Sequence, residues 1–135
     1  MYDAANAGVD IKMIVRGIYC AVNQKDFKKK IRAISIVDEY LEHARIMYFY
    51  NKGKEDFYLS SADWMARNPD FRIEAATPIL QKDLKKQLKD MLDIQLSDNV
   101  KARILDKNIR NEYVKNEDGK PIRSQIEIYH YLKNL

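Results

Sequence analysis

The feature that most constrains this chain is the stretch HARIMYFYNKGKEDFYLSS, residues 43–61. Two strand-like apolar runs flank NKGKED, a polar segment around Gly53, and that pattern is an antiparallel hairpin. Strand alternation puts His43, Arg45, Met47 and Phe49 on one face and Ala44, Ile46, Tyr48 and Tyr50 on the other. Both faces are largely apolar, which predicts a central strand covered on both sides. The rest of the chain must therefore supply neighbouring strands and a covering layer.

Candidates for both are present. MYDAANAGVD reads as the tail of a helix closed by Gly8, as though the chain begins inside a structural unit. IKMIVRG reads as a buried strand, with Gly17 letting the backbone turn just beyond Arg16. AVNQKDFKKKIR reads as a charged connection whose Lys28–Lys30 run is a solvated face. SIVDEYLEH predicts a short helical turn that packs Ile36, Val37, Tyr40 and Leu41. FRIEAATPI predicts a further strand closed by Pro78. KDLKKQLKDMLDIQLSDN is the clearest helix, with Leu84, Leu88, Met91, Leu92 and Leu96 in one apolar stripe and Asp98-Asn99 as its stop. VKARILD is a short extended segment, NEYVKNEDGKP a turn-rich loop, and SQIEIYHYLKN a closing helix. The expectation is a single α/β domain over residues 1–135. It has one mixed β-sheet, from segments near 11–16, 44–50, 56–60 and 71–77, with flanking helices and the 81–97 helix across it.

Composition excludes several classes. With 46% hydrophobic and 33% charged residues in 135, the chain fits one soluble globular unit. It has no apolar run of the roughly 20 residues needed to cross a bilayer. Its first residues carry no signal-peptide pattern, so the expected location is the cytoplasm. The single Cys20 excludes an internal disulfide, and two histidines without metal-ligand spacing argue against a structural zinc site. A net charge of +4 is a mild bias toward anionic partners and does not call for nucleic acid.

Four places could carry chemistry, and each has an ordinary alternative. His43 is either a histidine satisfied by a backbone carbonyl or an imidazole that handles phosphoryl groups, with Arg45 two residues on. Arg45, in a mostly apolar strand, must find an anion or snorkel to water. SSADWMARN is either a helix N-cap through Ser60 or Ser61, with Trp64 packed inward, or a phosphate cradle built from the same hydroxyls and N–H groups. Arg67, Asn68 and Arg72 would add donors to such a cradle. Arg16, at the end of a strand and before Gly17, stands where α/β sheets commonly place ligands. Cys20 has no evident base partner and reads as a small packing residue.

The order of AGVDIKMIVRGIYC, SIVDEYLEHARIMYFYN, FYLSSADWMARNPDFRIEAATPI, LSDNVKARILD and RSQIEIYHYL closely resembles the C-terminal catalytic domain of bacterial polyphosphate kinases. That family of ATP:polyphosphate phosphotransferases is related to the phospholipase D fold. LEHARI with SSADWMARN, and VRG upstream, carry the likeness over nearly the whole chain. The resemblance implies a phospholipase D-like half-domain, the second of two, inside a larger enzyme. In it His43 matches the second-half catalytic histidine, and Arg45 stands where the superfamily has lysine. Ser61 and Asp63 occupy the Ser and Asn places of the later motif. Arg16 and Arg72 match positions that contact the nucleotide or its phosphates, and Glu39 stands where the family more often has a basic residue. The implied reaction moves the terminal phosphoryl of ATP reversibly to polyphosphate through a phosphohistidine on a domain this chain lacks. ATP, ADP and polyphosphate would be its partners, with the parent's remaining domains and, in the parent, homo-oligomeric assembly. Magnesium is implied as cofactor, without residues here that identify its site. The expected location is cytoplasmic, free or peripheral at the inner membrane in the parent. Two other readings compete: a phospholipase D-like phosphodiesterase or nuclease acting as a homodimer, and a polyanion-binding module without turnover.

Overall fold

A computed structural model describes residues 1–65, 70, 72–115 and 119–135. In chain order the elements are helix α1 (Tyr2–Ala7) and strands β1 (Lys12–Ile14), β2 (Arg32–Ile36), β3 (Ile46–Phe49), β4 (Asp56–Ser60) and β5 (Ala76–Ile79). Helix α2 (Lys82–Leu96), strand β6 (Ala102–Ile104) and helix α3 (Ser124–Lys133) follow, and a 3-10 turn, Asn51–Gly53, lies between β3 and β4. The class is α/β, as expected. Instead of one sheet, however, the strands form two three-stranded sheets, ordered β1-β2-β6 and β3-β4-β5. They belong to two compact units, residues 1–42 with 93–135 and residues 43–92.

In the first unit β2 is the middle strand. It runs parallel to β1, with Met13 opposite Ala33, and antiparallel to β6, with Ile36 opposite Ala102. The sequence predicts a charged connection over residues 21–32 and a short helical turn over residues 35–43. In fact Ala33 and Ile36 are buried on β2, and residues 38–42 form neither helix nor strand. Beside this sheet, Ala5, Phe27 and Ile31 make a small core with Ile11 and Met13 against it. Gly8 closes α1 at φ 97°, where a side chain would be strained. Exposed Cys20 does not pack as predicted.

In the second unit β4, not β3, is central, and Phe57 is its buried residue at 1% exposure. β3 is an edge strand, which is why Phe49 and Tyr50 are exposed although their run reads as covered on both sides. Pro78 does not close its strand; it sits inside β5, opposite Tyr58. An edge strand tolerates proline because one side of its backbone needs no partner. The turn between β3 and β4 takes Asn51, Lys52 and Gly53 through positive φ, and the Asn51 amide donates to Asp56 at 2.8 Å. From α2, Lys85 donates to the Glu55 carbonyl at 2.7 Å, and the Lys89 ammonium lies 5.7 Å from the centre of the Tyr48 ring. The apolar stripe of α2 is only half-buried at best, with no buried residue on the helix.

Candidate functional site

The hairpin register decides where the candidate residues fall. Because Ile46 pairs with Leu59, Arg45 comes opposite Ser60, whose N–H donates to the Arg45 carbonyl at 2.9 Å. Ser60 in turn pairs with Ala76, so three chain segments end together: the start of β3, the end of β4 and the start of β5. His43 precedes the first, Ser61 and Asp63 follow the second, and Arg72 and Glu74 lead into the third. The sheet thus brings these residues to one of its ends.

Side-chain bonds tie that end together. Arg45 Nε donates to Asp63 Oδ1 at 2.9 Å, in a pair about one-quarter to one-third exposed. This hydrogen bond, helped by the nearby Glu74 charge, holds the Arg45 guanidinium above its ordinary value, so it is a permanent cation. Ser61 bridges the next pair of segments: its N–H donates to the Ala75 carbonyl at 3.0 Å, and its Oγ accepts the Ala75 N–H at 3.0 Å. The same hydroxyl donates to Glu74 Oε2. Ser60 Oγ accepts the Ala62 N–H at 3.1 Å, which makes a serine turn rather than a helix cap among the described residues. Trp64 is 70% exposed and does not pack inward.

His43 and Arg72 are exposed, and Arg16 is exposed at a bend just past β1, in the first unit. Arg67 and Asn68 lie outside the described residues. Sequence reasoning missed Glu74, which it passed over as part of a strand. The signal was the Arg-x-Glu alternation of Arg72 and Glu74, two residues apart on the same extended run. Among the described residues, no group of three or more His, Cys, Asp or Glu could hold a metal ion. Nor is any helix long and apolar enough to cross a membrane.

Comparison with known proteins decides the family. The family model described as polyphosphate kinase C-terminal domain 2 matches residues 1–125. The chain belongs to that family. It is 48% identical to the polyphosphate kinase of Escherichia coli K12 over 136 aligned residues, which cover all of this chain and 20% of that protein. It is 53% identical to the polyphosphate kinase of an Exiguobacterium strain, with 97% of this chain and 18% of that protein covered. The crystal structure of polyphosphate kinase from Porphyromonas gingivalis superposes with a TM-score of 0.93 at 50% identity. That match covers 98% of this chain and 20% of the other. The chain therefore spans about a fifth of the length of the family members it matches. No phosphodiesterase is among these relatives, and that alternative is not favoured.

Proposed function

We propose that this chain forms part of an ATP:polyphosphate phosphotransferase, and that the end of the β3-β4-β5 sheet is its share of the phosphate site. One observation carries the reading: Arg45 braced by Asp63 and Ser61 braced by Glu74, with His43 two residues from Arg45 and Arg72 two residues from Glu74. Phosphoryl transfer asks the protein for position and for dispersal of negative charge more than for covalent work. Asp63 takes the Nε donor of Arg45, which leaves its terminal nitrogens to fork onto phosphate oxygens. Arg72 supplies a further guanidinium contact there, and Arg67 and Asn68 supporting donors; Arg16, in the first unit, is proposed separately as a phosphate-binding residue. His43 acts as general acid/base or as a hydrogen-bonding ligand to the transferring phosphoryl. The nucleophile that becomes phosphohistidine lies outside this chain. ATP and ADP, polyphosphate, homo-oligomeric assembly and a cytoplasmic location belong to the same proposal for the complete enzyme.

Magnesium does not follow from these residues. Asp63 is committed to Arg45 and Glu74 to Ser61, and the described residues hold no ligand cluster. No step here runs through a metal.

The test is steady-state polyphosphate synthesis by the complete enzyme and its His43→Ala and His43→Gln variants, each checked for folding. Glutamine keeps a hydrogen-bonding group but cannot exchange a proton near neutral pH. Both variants should lose nearly all turnover while remaining folded. Near-normal synthesis by folded His43→Ala enzyme would remove His43 from the mechanism.

A further inference from the structure

In the first unit, residues 38–42 form neither helix nor strand, yet side chains of the same unit tie them down. Arg123, just before α3, donates from Nε to Asp38 Oδ2 at 2.8 Å, and from Nη2 to Asp38 Oδ1 and Glu39 Oε1 at 2.7 Å each. Gln125 binds the Tyr40 backbone as a neighbouring strand would. Its Oε1 accepts the Tyr40 N–H at 3.1 Å, and its Nε2 donates to the Tyr40 carbonyl at 2.8 Å. Glu42 accepts from Gln125 at 2.8 Å and from Gln95 at 3.0 Å.

What this clamp holds is an exposed apolar group. Val37, Tyr40 and Leu41 are 68%, 70% and 73% exposed, three large side chains within five consecutive residues. Apolar side chains scattered singly over a surface are ordinary. Three of them on an irregular segment whose backbone is held are not. Ordering such a segment costs conformational entropy, and its own apolar side chains are not buried to offset that cost. An apolar, open and preordered segment is suited to docking, because ordering done beforehand is not repeated at contact.

Its size bears on what covers it. The three side chains offer on the order of 400 Å², whereas a stable complex between separate chains buries roughly 800 Å² per partner. A domain of the same polypeptide needs less contact, because the connecting chain keeps its effective concentration high. About four-fifths of each matched relative lies outside the part that aligns with this chain. We infer that Val37, Tyr40 and Leu41 are a docking point for that remainder of the complete enzyme, presented by Arg123 and Gln125. The covering surface is apolar, with a polar group where the Tyr40 hydroxyl arrives, since a buried tyrosine O–H takes a partner. The inference rests on the chain being part of a larger polyphosphate kinase and is independent of the role given to His43.

The experiment introduces the photo-crosslinker p-benzoylphenylalanine into the complete enzyme in place of Tyr40 and, separately, of Leu41. Irradiated products are sized on gels and mapped by peptide mass spectrometry. Crosslinks should form within one polypeptide, to peptides outside these 135 residues. A product of twice the subunit mass would place a second copy on the group. Crosslinks confined to the 135 residues would mean that the chain covers itself, and probes quenched only by solvent would mean an open surface; each of these outcomes overturns the inference. Gln125→Ala frees the Tyr40 backbone and should lower the crosslink yield severalfold. An unchanged yield would overturn presentation by the clamp. The map needs no turnover, so synthesis by folded His43→Ala enzyme would end the reading of His43 and leave this inference standing.

Discussion

At the scale of the residue, the Arg45–Asp63 pair is where stability and function separate. The pair is partly open to water, and ion pairs so placed contribute little to folding. Its use is geometric: a guanidinium held at Nε presents its terminal nitrogens in one orientation. Asp63→Ala should therefore leave thermal unfolding near that of the parent while raising KM for ATP or polyphosphate several-fold, because Arg45 loses the acceptor that holds its Nε. Paired melting curves and initial-rate kinetics on the complete enzyme check this; a lowered midpoint with unchanged KM would make the pair structural. The candidate site was legible to the extent that it follows strand alternation. His43, Arg45, Ser61 and Asp63 sit on two arms of a hairpin, so sequence spacing alone brings them to one end. Glu74 was not legible, because its partner Ser61 is met only once β5 has been placed beside β4.

At the scale of the element, the most consequential side chain is one the sequence offered only as a helix stop. Asp98 is fully buried, and its Oδ1 accepts the N–H groups of Val100, Lys101 and Ala102 at 2.7 to 3.0 Å. Its Oδ2 accepts the Ser124 N–H at 2.7 Å, so one carboxylate ties the turn before β6 to the first residue of α3. Burial pushes the Asp98 carboxyl up, but the hydrogen bonds from Ser124, Lys101 and Ala102 outweigh it and hold it below its ordinary 3.8. A lowered folded pKa gives stability that is complete above the unfolded value and is lost as pH falls through the folded one. The chain should thus lose stability below about pH 4, and Asp98→Ala should flatten that acid limb. It should also cost on the order of 3 kcal/mol at neutral pH by stranding buried donors. Urea titrations at several pH values read both effects; an unchanged acid limb would exclude Asp98 as their source. In the second unit, Phe57→Ala removes the buried residue of the central strand and should cost about 3–5 kcal/mol in the same measurement. Helices α1, α2 and α3, the hairpin and β1 were legible from period, glycine and turn chemistry. β2 and residues 38–42 were not. Lys28–Lys30 just upstream reads as a solvated run, and what holds 38–42 lies at Gln95, Arg123 and Gln125, more than 50 residues away in sequence. Local propensity carries no trace of partners that distant.

At the scale of the whole molecule, the deciding facts are that the chain spans about a fifth of its relatives and carries one histidine motif. Its Arg16, Arg45 and Arg72 set would stabilise phosphate charge, and charge is all it would supply. Contacts of that kind are screened over roughly 8–10 Å at physiological ionic strength, so binding of polyphosphate to the isolated chain should be weak and should fall steeply with added salt. Tight, salt-insensitive binding would contradict a site built mainly of surface cations. Turnover asks for more. Transfer through a phosphohistidine needs a nucleophile about 3–3.5 Å from the phosphorus and in line with the departing ADP, and that demand is met by geometry rather than by charge. With His43 assigned to proton transfer or phosphoryl binding, the 135 residues hold no candidate for the nucleophile: His130, the other histidine, lies in α3, outside the motif residues named above. The isolated chain, folded and supplied with ATP and magnesium, should therefore make no polyphosphate under conditions in which the complete enzyme does. Synthesis by the chain alone, carried off by His43→Ala and untouched by His130→Ala, would instead make His43 the nucleophile and require the roles proposed here to be exchanged.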